Sequence, residues 1–96
     1  MSQITLITGG SRGLGRNTAL SIARRGGDVL FTYRSRADEA EALVAEIEGM
    51  GRKARAFQLD TSKIETFPAF ADSVKSALQE TWQRDSFDHL ANNAGQ

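Results

Sequence analysis

Short runs rich in β-branched residues alternate with longer stretches whose apolar residues recur at helical spacing. That alternation restricts the chain to βαβ units around a parallel sheet. Ile4-Thr5-Leu6-Ile7 reads as the first strand. Leu14, Thr18 and Ile22, with Ala19 and Ala23, then recur at helical spacing; Arg24 and Arg25 suit the C-terminal end of that helix, and Gly26-Gly27 stop it. Val29 to Tyr33 reads as the second strand. Ser35 followed by Asp38 resembles a capping box, and the next helix carries Ala40, Leu43, Val44 and Ile47 on one face until Gly49 and Gly51 end it. Ala54 to Leu59 is a weaker third strand. Ser62 and Glu65 open a third helix with the stripe Phe67, Phe70, Val74, Leu78 and Trp82, and Pro68 fits its first turn. Phe87 to Ala91 reads as the fourth strand. Right-handed crossovers place these strands in the order 3-2-1-4, the first half of a three-layer Rossmann-type α/β fold.

Composition narrows the function. The 96 residues suit one domain and carry 12 basic and 12 acidic side chains, so no basic surplus invites nucleic acid or a membrane surface. With no cysteine, a disulfide framework, a thiolate metal site and a cysteine nucleophile are all excluded. The single histidine, His89, excludes a multi-histidine metal site and is expected to make a hydrogen bond at the start of the fourth strand. No run approaches the ~20 apolar residues of a membrane span, and MSQITLITGG lacks the basic leader of a signal peptide. A cytoplasmic setting is the expectation.

The loop after the first strand carries the chemistry. Thr8-Gly9-Gly10-Ser11-Arg12-Gly13-Leu14-Gly15 joins that strand to the first helix. A phosphate needs backbone N–H groups aimed at it with no Cβ in the way, and a helix start adds orphan donors and a partial positive charge. Gly15 would let the helix pack closely on the sheet. The competing reading is a flexible turn with chance glycines. Neither common phosphate pattern fits in full. GxGxxG fails because Thr18 stands where its last glycine would be. A P-loop nearly fits from Gly10 to Asn17, but Arg16 and Asn17 replace its lysine and its Mg²⁺-holding hydroxyl.

The pattern that fits is TGxxxGxG, on Thr8, Gly9, Gly13 and Gly15. With Asn92-Asn93-Ala94-Gly95 at the end of the fourth strand and Asp60 just after the third, it resembles the short-chain dehydrogenase/reductase family. The resemblance implies that Gly9, Ser11, Arg12, Gly13, Leu14 and Gly15 meet the pyrophosphate of a nicotinamide dinucleotide. It also implies that Asp60 and Thr61 meet the adenine, and that Asn92, Ala94 and Gly95 line the adenosine side. The bland alternatives are a polar turn for Asn92 and a turn or capping aspartate for Asp60. No metal site is implied.

The end of the second strand bears on NADP against NAD. Dinucleotide folds that read the ribose 2′-OH place a carboxylate there, and an arginine instead accommodates a 2′-phosphate. Here the strand ends Tyr33-Arg34-Ser35-Arg36, with Asp38 and Glu39 inside the next helix. Arg34 can fork onto a phosphate, Ser35 can add a hydroxyl bond, and Arg12 supplies a second cation. NADP is therefore expected over NAD, against the alternative that these arginines are solvated surface charges.

The resemblance covers the chain but matches only the N-terminal part of the family's domain. Residues 1–96 are accordingly expected to be a dinucleotide-binding portion truncated after the fourth strand. The parent reaction would transfer hydride between the nicotinamide and a carbonyl or alcohol, in a full-length homo-oligomer. The family's catalytic tyrosine and lysine lie beyond NNAG, so no catalytic residue is assigned and this portion alone is expected to be inactive. The alternatives are a stand-alone nucleotide-binding or interaction module and, more weakly, a P-loop-like NTPase.

Overall fold

A computed structural model describes residues 3–9, 13–34, 36–59 and 67–92. Its elements are β1 (Ile4–Thr8), α1 (Gly13–Arg24), β2 (Asp28–Tyr33), α2 (Ala37–Gly49), β3 (Ala54–Gln58), α3 (Phe67–Ala77) running into a π-helical turn at Leu78–Trp82, and β4 (His89–Asn92). The four strands form one parallel sheet in the expected order β3-β2-β1-β4. The register sets Leu6 beside Leu30 on one side and Leu90 on the other.

Both faces of the sheet are covered, which is why β1 and β2 read as continuous apolar runs. Ile7, Val29 and Phe31 face α1 and α2, where Ala19, Leu20, Ala23, Leu43 and Ile47 complete one core. Ile4, Leu6 and Leu30 face the other way and pack with Val74, Ala77 and Leu78. Phe57 of β3 meets Phe70 of α3 edge-on, with ring centroids 6.0 Å apart. The α1 helix ends on Gly26 at φ 92°, the left-handed conformation that glycine adopts without a Cβ penalty.

Four local expectations change. Leu14 is 72% exposed and lies outside the core, because it stands on the outward side of the first turn of α1, whose next residue, Gly15, is the buried one. The N-cap of α2 is Arg36 rather than Ser35, and it makes no side-chain cap bond. The Asp38 carboxylate is taken instead by the Arg36 guanidinium at 3.3 Å; Ser35 itself lies outside the described residues. The fourth strand begins at His89 rather than Phe87. Asp88 precedes it and accepts the Ile4 N–H on its side chain at 2.8 Å while its own N–H donates to the Ile4 carbonyl, also at 2.8 Å. Finally, the third helix widens to a π turn before Trp82. Ser62 and Glu65, read as its start, lie outside the described residues.

Candidate functional site

The strand order locates the site. From β1 the chain crosses over one face of the sheet to β2, while β4 lies on the other side of β1. The order reverses at β1, and open α/β sheets bind ligands in the crevice outside the carboxyl ends of their strands at such a point. Thr8 and Asn92 are register partners at that edge.

Gly9 follows β1 at φ 72° and Gly13 opens α1 at φ 57°, so the loop turns at both ends through left-handed backbone. A Cβ at Gly13 would meet nothing within 4 Å, so glycine is required there by conformation alone. Gly15 is buried in α1, consistent with a close approach of helix to sheet. The first turn of α1 carries no acidic residue. No carboxylate of that turn therefore competes for the N–H groups that a helix start leaves without an intrahelical partner. Arg16, the near-miss for a P-loop lysine, is instead ion-paired to Glu46 of α2 at 2.6 Å. Thr18 bonds back to the Leu14 carbonyl at 2.8 Å.

Arg34 is exposed directly after β2, and its carbonyl accepts a bond from the Gln58 side chain at 3.1 Å, which ties the ends of β2 and β3 together. Arg36 turns away from this edge. It pairs with Asp38 and Glu39 of α2, and the Asp38 bond raises its pKa above the ordinary guanidinium value while lowering that of Asp38. The two arginines that look alike in sequence are thus separated. Arg34 directly follows the carboxyl end of β2, and Arg36 is the N-cap of α2.

Of the residues singled out from sequence, Gly9, Gly13, Leu14, Gly15, Arg34 and the Asn92 backbone stand at this one edge. Ser11, Arg12, Ser35, Asp60, Thr61, Ala94 and Gly95 lie outside the described residues. Sequence reading missed Thr32. It is 2% exposed in β2, and its hydroxyl accepts the Gly9 N–H at 2.8 Å. The available signal was a hydroxyl residue inside the run VLFTY. His89 behaves as expected, with Nε2 3.1 Å from Gln3 Oε1 at the start of β4. A cleft of about 600 Å³ lined by Gln3, Arg25, Gly27 and His89 lies at the opposite, amino-terminal edge of the sheet. It is remote from the glycine turn and shares no residue with it. Among the described residues there is no cluster of metal-ligating side chains and no helix long and apolar enough to cross a membrane.

Known proteins share this arrangement. The sequence model of the short chain dehydrogenase family matches residues 3–96. The chain is 41% identical over 92 residues to 1-cyclohexenylcarbonyl-CoA reductase of Streptomyces collinus, covering 96% of this chain and 31% of that protein. It is 40% identical over 96 residues to the 3-oxoacyl-(acyl-carrier-protein) reductase FabG of Staphylococcus epidermidis, covering 99% of this chain and 36% of that protein. Among solved structures it superposes on a short chain dehydrogenase from Burkholderia cenocepacia in complex with NADP. The TM-score there is 0.79 at 38% identity, over 98% of this chain and 36% of the other. The chain therefore spans about a third of the length of the relatives it matches.

Proposed function

The chain belongs to the short-chain dehydrogenase family, and from that premise we propose that it is the NADP(H)-binding portion of an oxidoreductase acting on a carbonyl or alcohol. The observation that carries this reading is the glycine turn, with left-handed backbone at Gly9 and Gly13 between β1 and the amino end of α1. Such a turn suits a dinucleotide pyrophosphate, which needs N–H donors and close backbone approach. The crevice edge fits the group, because it offers orphan donors, an arginine after β2 and no carboxylate in the first turn of α1. The relative solved with NADP supports the choice of nucleotide. When bound, the nicotinamide supplies the hydride chemistry, and the protein supplies binding and orientation.

Gly9, Gly13, Leu14 and Gly15, with Ser11 and Arg12, are assigned to the pyrophosphate. Arg34 and Ser35 are assigned to the 2′-phosphate, Asp60 and Thr61 to the adenine, and Asn92, Ala94 and Gly95 to the adenosine side. The same reading takes a homo-oligomeric parent in a cytoplasmic setting. The sole tyrosine, Tyr33, ends β2, so residues 1–96 by themselves should bind nucleotide without oxidising NADPH against a carbonyl.

The test is equilibrium binding of NADP⁺ and NAD⁺ to the wild type and to Arg34→Ala. Removing a charge-assisted phosphate contact worth about 1.5–3 kcal/mol should weaken NADP⁺ roughly tenfold to a hundredfold and leave NAD⁺ unchanged. Equal loss for both, or none for either, would overturn the assignment of the 2′-phosphate to Arg34. Failure of the wild type to bind either nucleotide would overturn the function.

A further inference from the structure

We propose that Thr32 is a positioning residue of the pyrophosphate turn, acting through Gly9 rather than by touching the nucleotide; the inference rests on the dinucleotide reading above. The last β1–β2 register pair is Ile7 with Phe31, so Thr32 lies one residue past it. Its side chain reaches over the end of β1, and the hydroxyl takes the Gly9 N–H at 2.8 Å.

That bond does two things. It satisfies a partly buried donor that would otherwise have left the β1 ladder without a partner. It also fixes the peptide plane at the first left-handed residue of the turn, where Gly9 has φ 72°. The far end of the turn is again left-handed, at Gly13, where α1 begins. Thr32 can fix the Gly9 peptide plane because it is 2% exposed and held in β2, an interior strand with β1 on one side and β3 on the other. The Gly9 N–H is occupied by Thr32, so Gly9 meets the pyrophosphate by letting the backbone come close rather than as a donor.

Thr32 also stands two residues before Arg34 on the same strand end. One strand thereby sets the turn that meets the pyrophosphate, common to both dinucleotides, and carries the arginine that meets the 2′-phosphate, present in one. The two residues should separate in binding. Thr32→Val keeps the shape, removes the acceptor, and should weaken NADP⁺ and NAD⁺ by the same factor, about fivefold to tenfold. Thr32→Ser restores the hydroxyl and should return both affinities to within about twofold of wild type.

Calorimetric titration of the purified protein with NADP⁺ and NAD⁺, for wild type and both variants, is the experiment. Hydrogen exchange at the Gly9 amide in the nucleotide-free wild type accompanies it. Equal loss in the valine variant, rescue by serine and a protected Gly9 amide support the proposal. Wild-type affinity in the valine variant, loss that serine does not rescue, or loss confined to one nucleotide would overturn it. An unprotected Gly9 amide in the folded protein would overturn it even if the valine variant did not fold. If the wild type bound neither nucleotide, the dinucleotide reading itself would fall, and Gly9 protection would then mark Thr32 as structural alone, which also overturns the proposal.

Discussion

Gly13 shows how a single residue can be required without being crowded. Its φ of 57° is the cause, since open space surrounds the missing Cβ. Gly13→Ala should cost about 1 kcal/mol, read as a lower denaturant midpoint at unchanged m-value. An unchanged midpoint would contradict the left-handed assignment. Asp88 is the second informative residue. Hydrogen bonding to Arg84, then the Ile4 N–H, lowers its pKa to about 2, against a smaller opposing effect of burial. A carboxylate depressed in the folded state stabilises above its unfolded pKa of about 4, and that contribution fades as pH falls through the folded value. The stability advantage of wild type over Asp88→Asn should therefore be full at pH 5 and shrink between pH 4 and pH 2. A difference constant across that window would remove the linkage. The left-handed turns at Gly9 and Gly13 were legible in the sequence because glycine identity alone permits that backbone at no steric cost. Thr32 and Asp88 were not, because each acts through a partner distant in the chain, Gly9 at 23 residues and Ile4 at 84.

At the scale of elements, periodicity revealed the helices and failed where their geometry changes. Phe70, Val74, Leu78 and Trp82 repeat every four residues, which suggests an unbroken α-helix. The structure instead loosens to a π turn over Leu78–Trp82 and stops at Gln83 in the left-handed region, φ 53°. At the end of that turn Trp82 donates Nε1–H to the buried Asp28 at 2.8 Å. The other Asp28 oxygen accepts the Lys53 N–H at 2.9 Å. One carboxylate thus links β2, the segment entering β3 and the end of the third helix. Trp82→Phe keeps the ring but leaves an acceptor unpaired, and should destabilise by about 1–3 kcal/mol in chemical denaturation. A loss below about 0.5 kcal/mol would mean that water replaces the indole. Strand four was placed correctly in order but two residues early, because Phe87 packs on the core from the loop and apolar character alone does not separate the two.

The whole molecule follows from its strand order. All pairings are parallel, and the order β3-β2-β1-β4 is one of the few that right-handed crossovers allow, so this level was legible from the alternation of elements together with the Rossmann arrangement. What alternation could not reveal is how unequal the two ends of the sheet are. β3 is flanked by well-packed helices, whereas β4 presents Leu90 at 60% exposure. An apolar side chain on an edge strand favours pairing with another chain. In residues 1–96, Leu90→Lys should lower concentration-dependent association in sedimentation velocity. Association unaffected by the lysine would place the contact elsewhere.

The tie between Ile4 and Asp88, 84 residues apart, also sets an order of events during synthesis. β1 leaves the ribosome before the other three strands, and its second neighbour follows only after the intervening chain has been made. At about 5–20 residues per second that interval is roughly 4–17 s. During it, one side of the sheet's most apolar strand can pair with β2 while the other waits, a window in which a chaperone or a neighbouring nascent chain could reach it before β4 does.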